Sequence, residues 1–253
     1  MSKKYKGKTC AYCAAPGSSK TADHIVAREF FLPERRANLP KVAACNACNN
    51  SKSVLEHYLA SVLPFGGRHP DASVNLATMV QPRLAKNLPL AKKLQGGREI
   101  SYKSRDGVQW TPDMKMPFDG KSAERLFTLI TKGLANFHWQ LCLPDTDCIV
   151  CSSFLTPEGE AMFRRLWSVR ASATVQGDLG NGTFVYEGRQ GVDDPRLTVW
   201  RMSLYGIVVG GDVASPNAKS TTVFAMTAPR RMRAASELAQ ILVSSHSSSG
   251  FSD

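Results

Sequence analysis

The chain has 253 residues, of which 43% are apolar, and a formal net charge of +11. That is room for more than one core and a surface that favours polyanions over acidic or apolar partners. No run approaches the roughly 18 apolar residues of a membrane span, and Met1–Lys8 has no apolar stretch behind its charges, so neither a membrane anchor nor a secretory leader is expected. The seven cysteines are therefore expected to be reduced thiols of a cytoplasmic protein, which favours metal binding over disulfides. Ten of the eleven net positive charges fall in the first 120 residues, so a nucleic acid or other polyanion is expected to meet that half.

The first segment, 1–64, opens on two CxxC pairs, Cys10/Cys13 and Cys45/Cys48. Each short turn lets two sulfurs face one ion, so together they offer the four thiolates of a closed tetrahedral zinc site. Chance clustering of buried thiols is the alternative. A zinc ribbon leaves roughly 15–20 residues between its pairs. Here Ala14–Ala44 spans 31 residues, enough to fold back as a short hairpin carrying Asp23-His24. After the second pair come Asn49, Asn50, Ser51 and Lys52, and then a helix. Val54, Leu55, Tyr58, Leu59 and Val62 recur at helical spacing, Ser53 with Glu56 forms a candidate capping box, and Pro64 ends the run.

Cys10-Ala-Tyr-Cys13, Asp23-His24-Ile25-Val26, Asn38-Leu39 and Cys45-Asn-Ala-Cys48-Asn49-Asn50-Ser51-Lys52 stand in the order found in the HNH (ββα-metal) endonucleases. The segment resembles the variety of that family stapled by a four-cysteine zinc site. The resemblance implies a general base at His24 and a catalytic divalent ion held by Asp23 and Asn49. It also implies an asparagine that steadies the base at Asn38 and a closing basic residue at Lys52. Many members carry Pro two residues after the Ile, where this chain has Ala27. The match covers about the first 60 residues, a quarter of the chain.

The residues speak for similar chemistry by themselves. A histidine titrates near neutrality and can take a proton from water at working pH. Carboxylate and amide oxygens suit Mg²⁺ or Mn²⁺ better than zinc, and such an ion supports phosphodiester cleavage as Lewis acid and template. Zinc on four sulfurs has no open position and would be structural. Each residue also has a plainer role: Asp23 as a cap, His24 as a satisfied polar group, Asn38 as a turn residue before Leu39-Pro40, Lys52 as a solvated lysine.

Residues 65–120 are punctuated by glycine and proline. The stretch Pro82–Leu94 suggests short, broken, basic helices, either a solvated linker or a second contact with a nucleic-acid backbone. Residues 121–240 read as an α+β domain with a mostly antiparallel sheet. Ala123, Leu126, Phe127, Ile130, Leu134, Phe137 and Leu141 mark a long amphipathic helix, and Thr156-Pro157-Glu158 starts a second carrying Phe163, Leu166 and Trp167. Strand-like runs follow at 171–176, 183–187, 197–209 and 221–227, with Asn181-Gly182 as a hairpin turn. Lys132-Gly133-Leu134 together with Asp194-Pro195, Val199-Trp200 and Leu204-Tyr205-Gly206 is similar to the C-terminal half of a group of bacterial and phage HNH proteins. Cys142, Cys148 and Cys151 are expected to be buried reduced thiols, and residues 241–253, rich in serine, a disordered tail.

The fold expected is thus α+β, a zinc-stabilised ββα-metal domain followed by a second α+β domain for targeting, homodimerisation or partner binding. The function expected is metal-dependent endonucleolytic hydrolysis of nucleic acid, most readily DNA. A zinc-stabilised DNA-binding or assembly module that does not cut is the rival.

Overall fold

The computed structural model describes residues 3–104, 107–155, 157–167, 171–206, 209–210, 219–220 and 222–232. Helices and an antiparallel sheet combine as the α+β class requires.

Two short strands, β1 (Thr21–His24) and β2 (Lys41–Ala44), pair antiparallel, with Thr21 opposite Ala44 and His24 opposite Lys41. The loop joining them is anchored by Ile25, Val26, Phe30 and Phe31, all buried, while its arginines stay outside or half-buried. Helix α1 (Asn46–Val62) follows directly. Its start corrects the capping box expected at Ser53: the N-cap is Cys45, whose Sγ accepts the Cys48 N–H at 3.4 Å. The knuckle already supplies a helical turn and an acceptor for an orphan N–H, so the helix nucleates there and Ser53 is interior. Leu55 and Leu59 are buried as the pattern requires, but Val54 is 72% exposed. Pro64 lies in the 3₁₀ turn Leu63–Gly66 that closes the run.

The broken helices expected in 82–94 are present. A first short helix, α2 (Pro70–Asn75), runs through a π turn at Leu76–Val80 into α3 (Gln81–Lys86), and α4 (Leu88–Gly96) follows. Asn87 makes the break, leaving the helical region (φ −127, ψ 72) and capping α4 by accepting from Leu90 N–H. A hairpin of β3 (Glu99–Ser104) and β4 (Trp110–Lys115) then appears that the sequence pattern did not signal.

Helix α5 (Gly120–Trp139) is capped by Asp119 and ends at Gln140 in the left-handed region, so Leu141 lies beyond it, and Phe137 near its end is 44% exposed. The sheet behind it has the order β5-β11-β8-β7-β6 and is antiparallel throughout. Its strands are β5 (Cys148–Phe154), β6 (Ala171–Leu179), β7 (Phe184–Gly191), β8 (Thr198–Leu204) and β11 (Val223–Pro229). Helix α6 (Pro157–Trp167) lies between β5 and β6 in sequence, and β9 (Val209–Gly210) with β10 (Lys219–Ser220) makes a separate ladder. The turn at Asn181-Gly182 is as expected, with Gly180, Asn181 and Gly182 all at positive φ, a geometry that glycine and asparagine adopt at least cost.

One core cluster runs from Cys10 and Tyr12 through Ile25 and Leu59 to Phe127 on α5 and Trp200 on β8. Alternate residues of β11 serve the two faces of the sheet: Val223 and Ala225 join this cluster, while Phe224 and Met226 join a second one with Phe163 of α6. The packing therefore crosses the segment boundaries at 64 and 120. Gly133 of α5 meets Ile25, where an added Cβ would stand 3.0 Å from Ile25 Cγ2. Lys132, buried, donates to the Tyr12 carbonyl at 2.9 Å and to Asp145 at 2.7 Å. Tyr205 beyond β8 bonds to the Phe30 carbonyl and receives Asn75 Nδ2 at 2.9 Å. The serine-rich segment 241–253 lies outside the described residues.

Candidate functional site

Both CxxC turns close on one point. The four sulfurs of Cys10, Cys13, Cys45 and Cys48 lie within 4.8 Å of one another, and those of Cys13 and Cys45 are 3.9 Å apart. A tetrahedron with Zn–S bonds of about 2.3 Å has sulfur–sulfur edges of about 3.8 Å, so the cluster has the size of a zinc site. Backbone N–H groups also point at the sulfurs, Cys45 N to Cys10 Sγ and Cys48 N to Cys45 Sγ, both at 3.4 Å. Burial and the neighbouring sulfurs push the Cys48 thiol up, which is the electrostatic reason a cation is needed to hold four thiolates together.

The second site is built on β1, the first knuckle and α1. Asp23 is buried, and its Oδ2 accepts the Tyr12 hydroxyl at 2.5 Å and faces Lys52 Nζ at 3.0 Å. Lys52 is fully buried; it also donates to the His24 carbonyl at 2.8 Å and pairs with Glu56 one turn on. Its ammonium stands 5.8 Å from the Tyr12 ring centroid. The solvated-lysine alternative for Lys52 is thus overturned: one cation ties the second turn of α1 to the end of β1. None of these contacts uses Asp23 Oδ1.

Two buried carboxylates share that single lysine. Burial pushes the Glu56 carboxyl up to about 7, with Asp23 and Glu29 adding to the effect against the pull of Lys52. Burial, reinforced by Asp23, likewise holds the Tyr12 hydroxyl well above its ordinary range, so the proton stays on the tyrosine as donor.

His24 is half-buried at the end of β1. Burial lowers its pKa, and Lys41 across the ladder and Arg28 in the loop lower it further, outweighing Asp23. The imidazole is therefore held neutral at physiological pH and stands among cations, a setting suited to accepting a proton beside an anionic group.

Asn49 lies in the first turn of α1, half-buried, its backbone N–H bonded to Cys45 O at 3.0 Å. It precedes Lys52 by three residues and so shares its side of the helix. Asn38 is exposed and left-handed, φ +57, just before the residues that return the chain to β2, with Ile25 N–H bonded to Pro40 O at 3.0 Å. That geometry gives Asn38 a turn role of its own.

Cys148 and Cys151 lie three apart on β5, hence on opposite faces of a strand, and cannot clasp one ion as a knuckle does. Cys148 is buried as expected, whereas Cys142 and Cys151 are only half-buried; burial still pushes the Cys151 thiol up to about 12. Tyr12 and Glu56 are site residues that sequence reasoning passed over. Glu56, four residues after Lys52, carried an i,i+4 signal, whereas the Tyr12–Asp23 pairing had none.

Comparison with protein-family models, with characterised proteins and with solved structures gives no match to the chain. Among the described residues no helix is long and apolar enough to cross a membrane.

Proposed function

We propose that the chain is a metal-dependent endonuclease of the HNH type that hydrolyses phosphodiester bonds of nucleic acid, with DNA as first choice. The observation that carries this reading is the reach of Lys52 from α1 to both Asp23 Oδ2 and the His24 carbonyl, beside a four-sulfur cluster of zinc dimensions. It makes a strand-strand-helix unit in which Asp23 and His24 are the last two residues of β1 and Asn49 lies one turn before the tether.

In this reading the sulfur cluster holds structural zinc. Asp23 Oδ1 and Asn49 would hold Mg²⁺ or Mn²⁺, which when bound supplies positive charge to the phosphate and the departing O3′. His24, kept neutral, takes the proton of the attacking water. Tyr12 and Lys52 fix Asp23 through Oδ2, and Oδ1 would serve the ion. Asn38 and Lys52 act on position, not on the reacting atoms.

One observation favours the rival, a zinc-stabilised DNA-binding or assembly module. Lys52 already neutralises Asp23 in part, and a cation so placed competes with a divalent ion. Incubation of purified protein with plasmid and Mg²⁺ or Mn²⁺, beside His24→Ala, separates the two. Nicking by the wild type alone supports the enzyme; equal retention of DNA by both proteins without cutting supports the module.

A further inference from the structure

Most described arginines of the C-terminal sheet and α6 face carboxylates: Arg164 meets Glu160, Arg196 meets Asp194, and Arg201 meets Glu187. Around His24 the pattern is reversed. Lys41 and Arg28 are exposed; Lys41 stands opposite His24 on the β1–β2 ladder and Arg28 follows four residues on in the loop. Arg36 is clamped by carbonyls, its Nε donating to Arg28 O and Phe31 O at 3.0 Å each. Arg83 of α3 is clamped in the same way, Nη1 donating to Ala60 O at 2.7 Å, and stands near enough to Arg36 for the two charges to repel. Among the described residues none of these four forms an ion pair with a carboxylate, whereas Arg35 beside them does, with Asp71 at 3.9 Å.

Carbonyl clamps fix where the Arg36 and Arg83 guanidiniums sit without cancelling their charge. With exposed Lys41 and Arg28 they make four like charges on β2, the β1–β2 loop and α3, and an anion laid against them relieves their mutual repulsion. Glu29 is the acidic group near Arg83 and offsets only part of it. The band starts at Lys41 and His24, crosses the β1–β2 loop through Arg28 and Arg36, and ends on α3.

We propose that Lys41, Arg28, Arg36 and Arg83 form a seat for the sugar-phosphate backbone of a nucleic acid, and that the segment after α1 is part of the binding surface and not a passive linker. The proposal shares with the nuclease reading only its choice of polyanion. Phosphate is the chemistry matched: cationic donors, none of them paired with a carboxylate among the described residues.

The test is fluorescence anisotropy of a labelled DNA duplex without divalent ion, measured across a salt series. Arg28→Gln and Lys41→Gln, both exposed, each weaken binding about three- to ten-fold and lower the slope of log affinity against log salt by about one. Arg83→Gln does the same if its melting curve matches the wild type; the two exposed variants decide the matter if it does not. Arg164→Gln serves as the control and binds as the wild type does. Unchanged binding by both exposed variants, an equal loss in Arg164→Gln, or no binding by the wild type at low salt overturns the proposal. Loss of binding in the band variants of a protein that never nicks plasmid upholds the band and rejects the nuclease; nicking with unchanged binding does the opposite.

Discussion

Tyr12, inside the first CxxC turn, donates its hydroxyl to Asp23 Oδ2 at 2.5 Å, so the sulfur cluster and the candidate catalytic carboxylate are one hydrogen bond apart. The same tyrosine accepts Lys132 of α5 at its carbonyl. Whatever shapes the knuckle therefore shapes the site, and α5 holds both from behind.

Cys45 is at once a sulfur of the cluster and the N-cap of α1. Cys45→Ala, or removal of zinc with a chelator, is expected to unfold 1–64 and to loosen α5 with it, because they share a core. His24→Ala, at a half-buried position, leaves the melting curve nearly unchanged. Circular dichroism melts of the two variants check this; equal loss in both would contradict a structural metal separate from the reacting group.

Lys52 is fully buried between two carboxylates. Lys52→Met leaves Asp23 and Glu56 facing each other without a cation and is expected to cost about 3–5 kcal/mol in a urea titration. Adding Glu56→Gln removes one of the stranded charges and recovers part of the loss. A Lys52→Met protein as stable as the wild type would mean that the ammonium is not the tether described.

Glu56 makes stability depend on pH. Its folded pKa of about 7 stands above the ordinary 4.5, so between those values the folded protein keeps a proton that the unfolded chain releases. Its contribution is full below 4.5 and is lost as the pH rises through 7. Unfolding free energies measured across that range should decline at this site with rising pH, and Glu56→Gln should flatten the decline. A slope that survives the substitution assigns it to another group.

His24 sets an expected limb in any cleavage profile. With its pKa lowered from 6.5, the imidazole stays neutral further into acid than an ordinary histidine, so the rate falls only below that value. Lys41→Gln removes one of the charges holding it down and should move the limb to higher pH. Single-turnover rates of plasmid nicking against pH provide the check.

Gly133 lets α5 approach the residue after His24. Gly133→Leu drives a side chain into Ile25, which is fully buried, and is expected to destabilise the protein by about 1–3 kcal/mol in chemical denaturation and to reduce any cleavage along with it. A neutral effect would show that the helix can withdraw without disturbing β1.

The sulfur spacing, the Asp-His pair, the long helix before the sheet and the Asn-Gly turn could be read from the chain alone, because each depends on neighbours within a few residues or on the demands of one ion. Helix boundaries were less legible: Cys45 caps α1 through its sulfur, an acceptor outside the usual capping residues, and its own N–H is bonded to Cys10 across 35 positions. Lys52 looked the same in sequence whether solvated or buried, and although the i,i+4 spacing pointed to Glu56, nothing local could tell that Asp23 and His24 would close over it. Burial and charge pairing are set by what arrives from elsewhere in the chain. For that reason the residue types of the candidate site belong to the sequence, while the partition of its cations, some paired with buried carboxylates and others left without an acidic partner, was decided only by the tertiary packing.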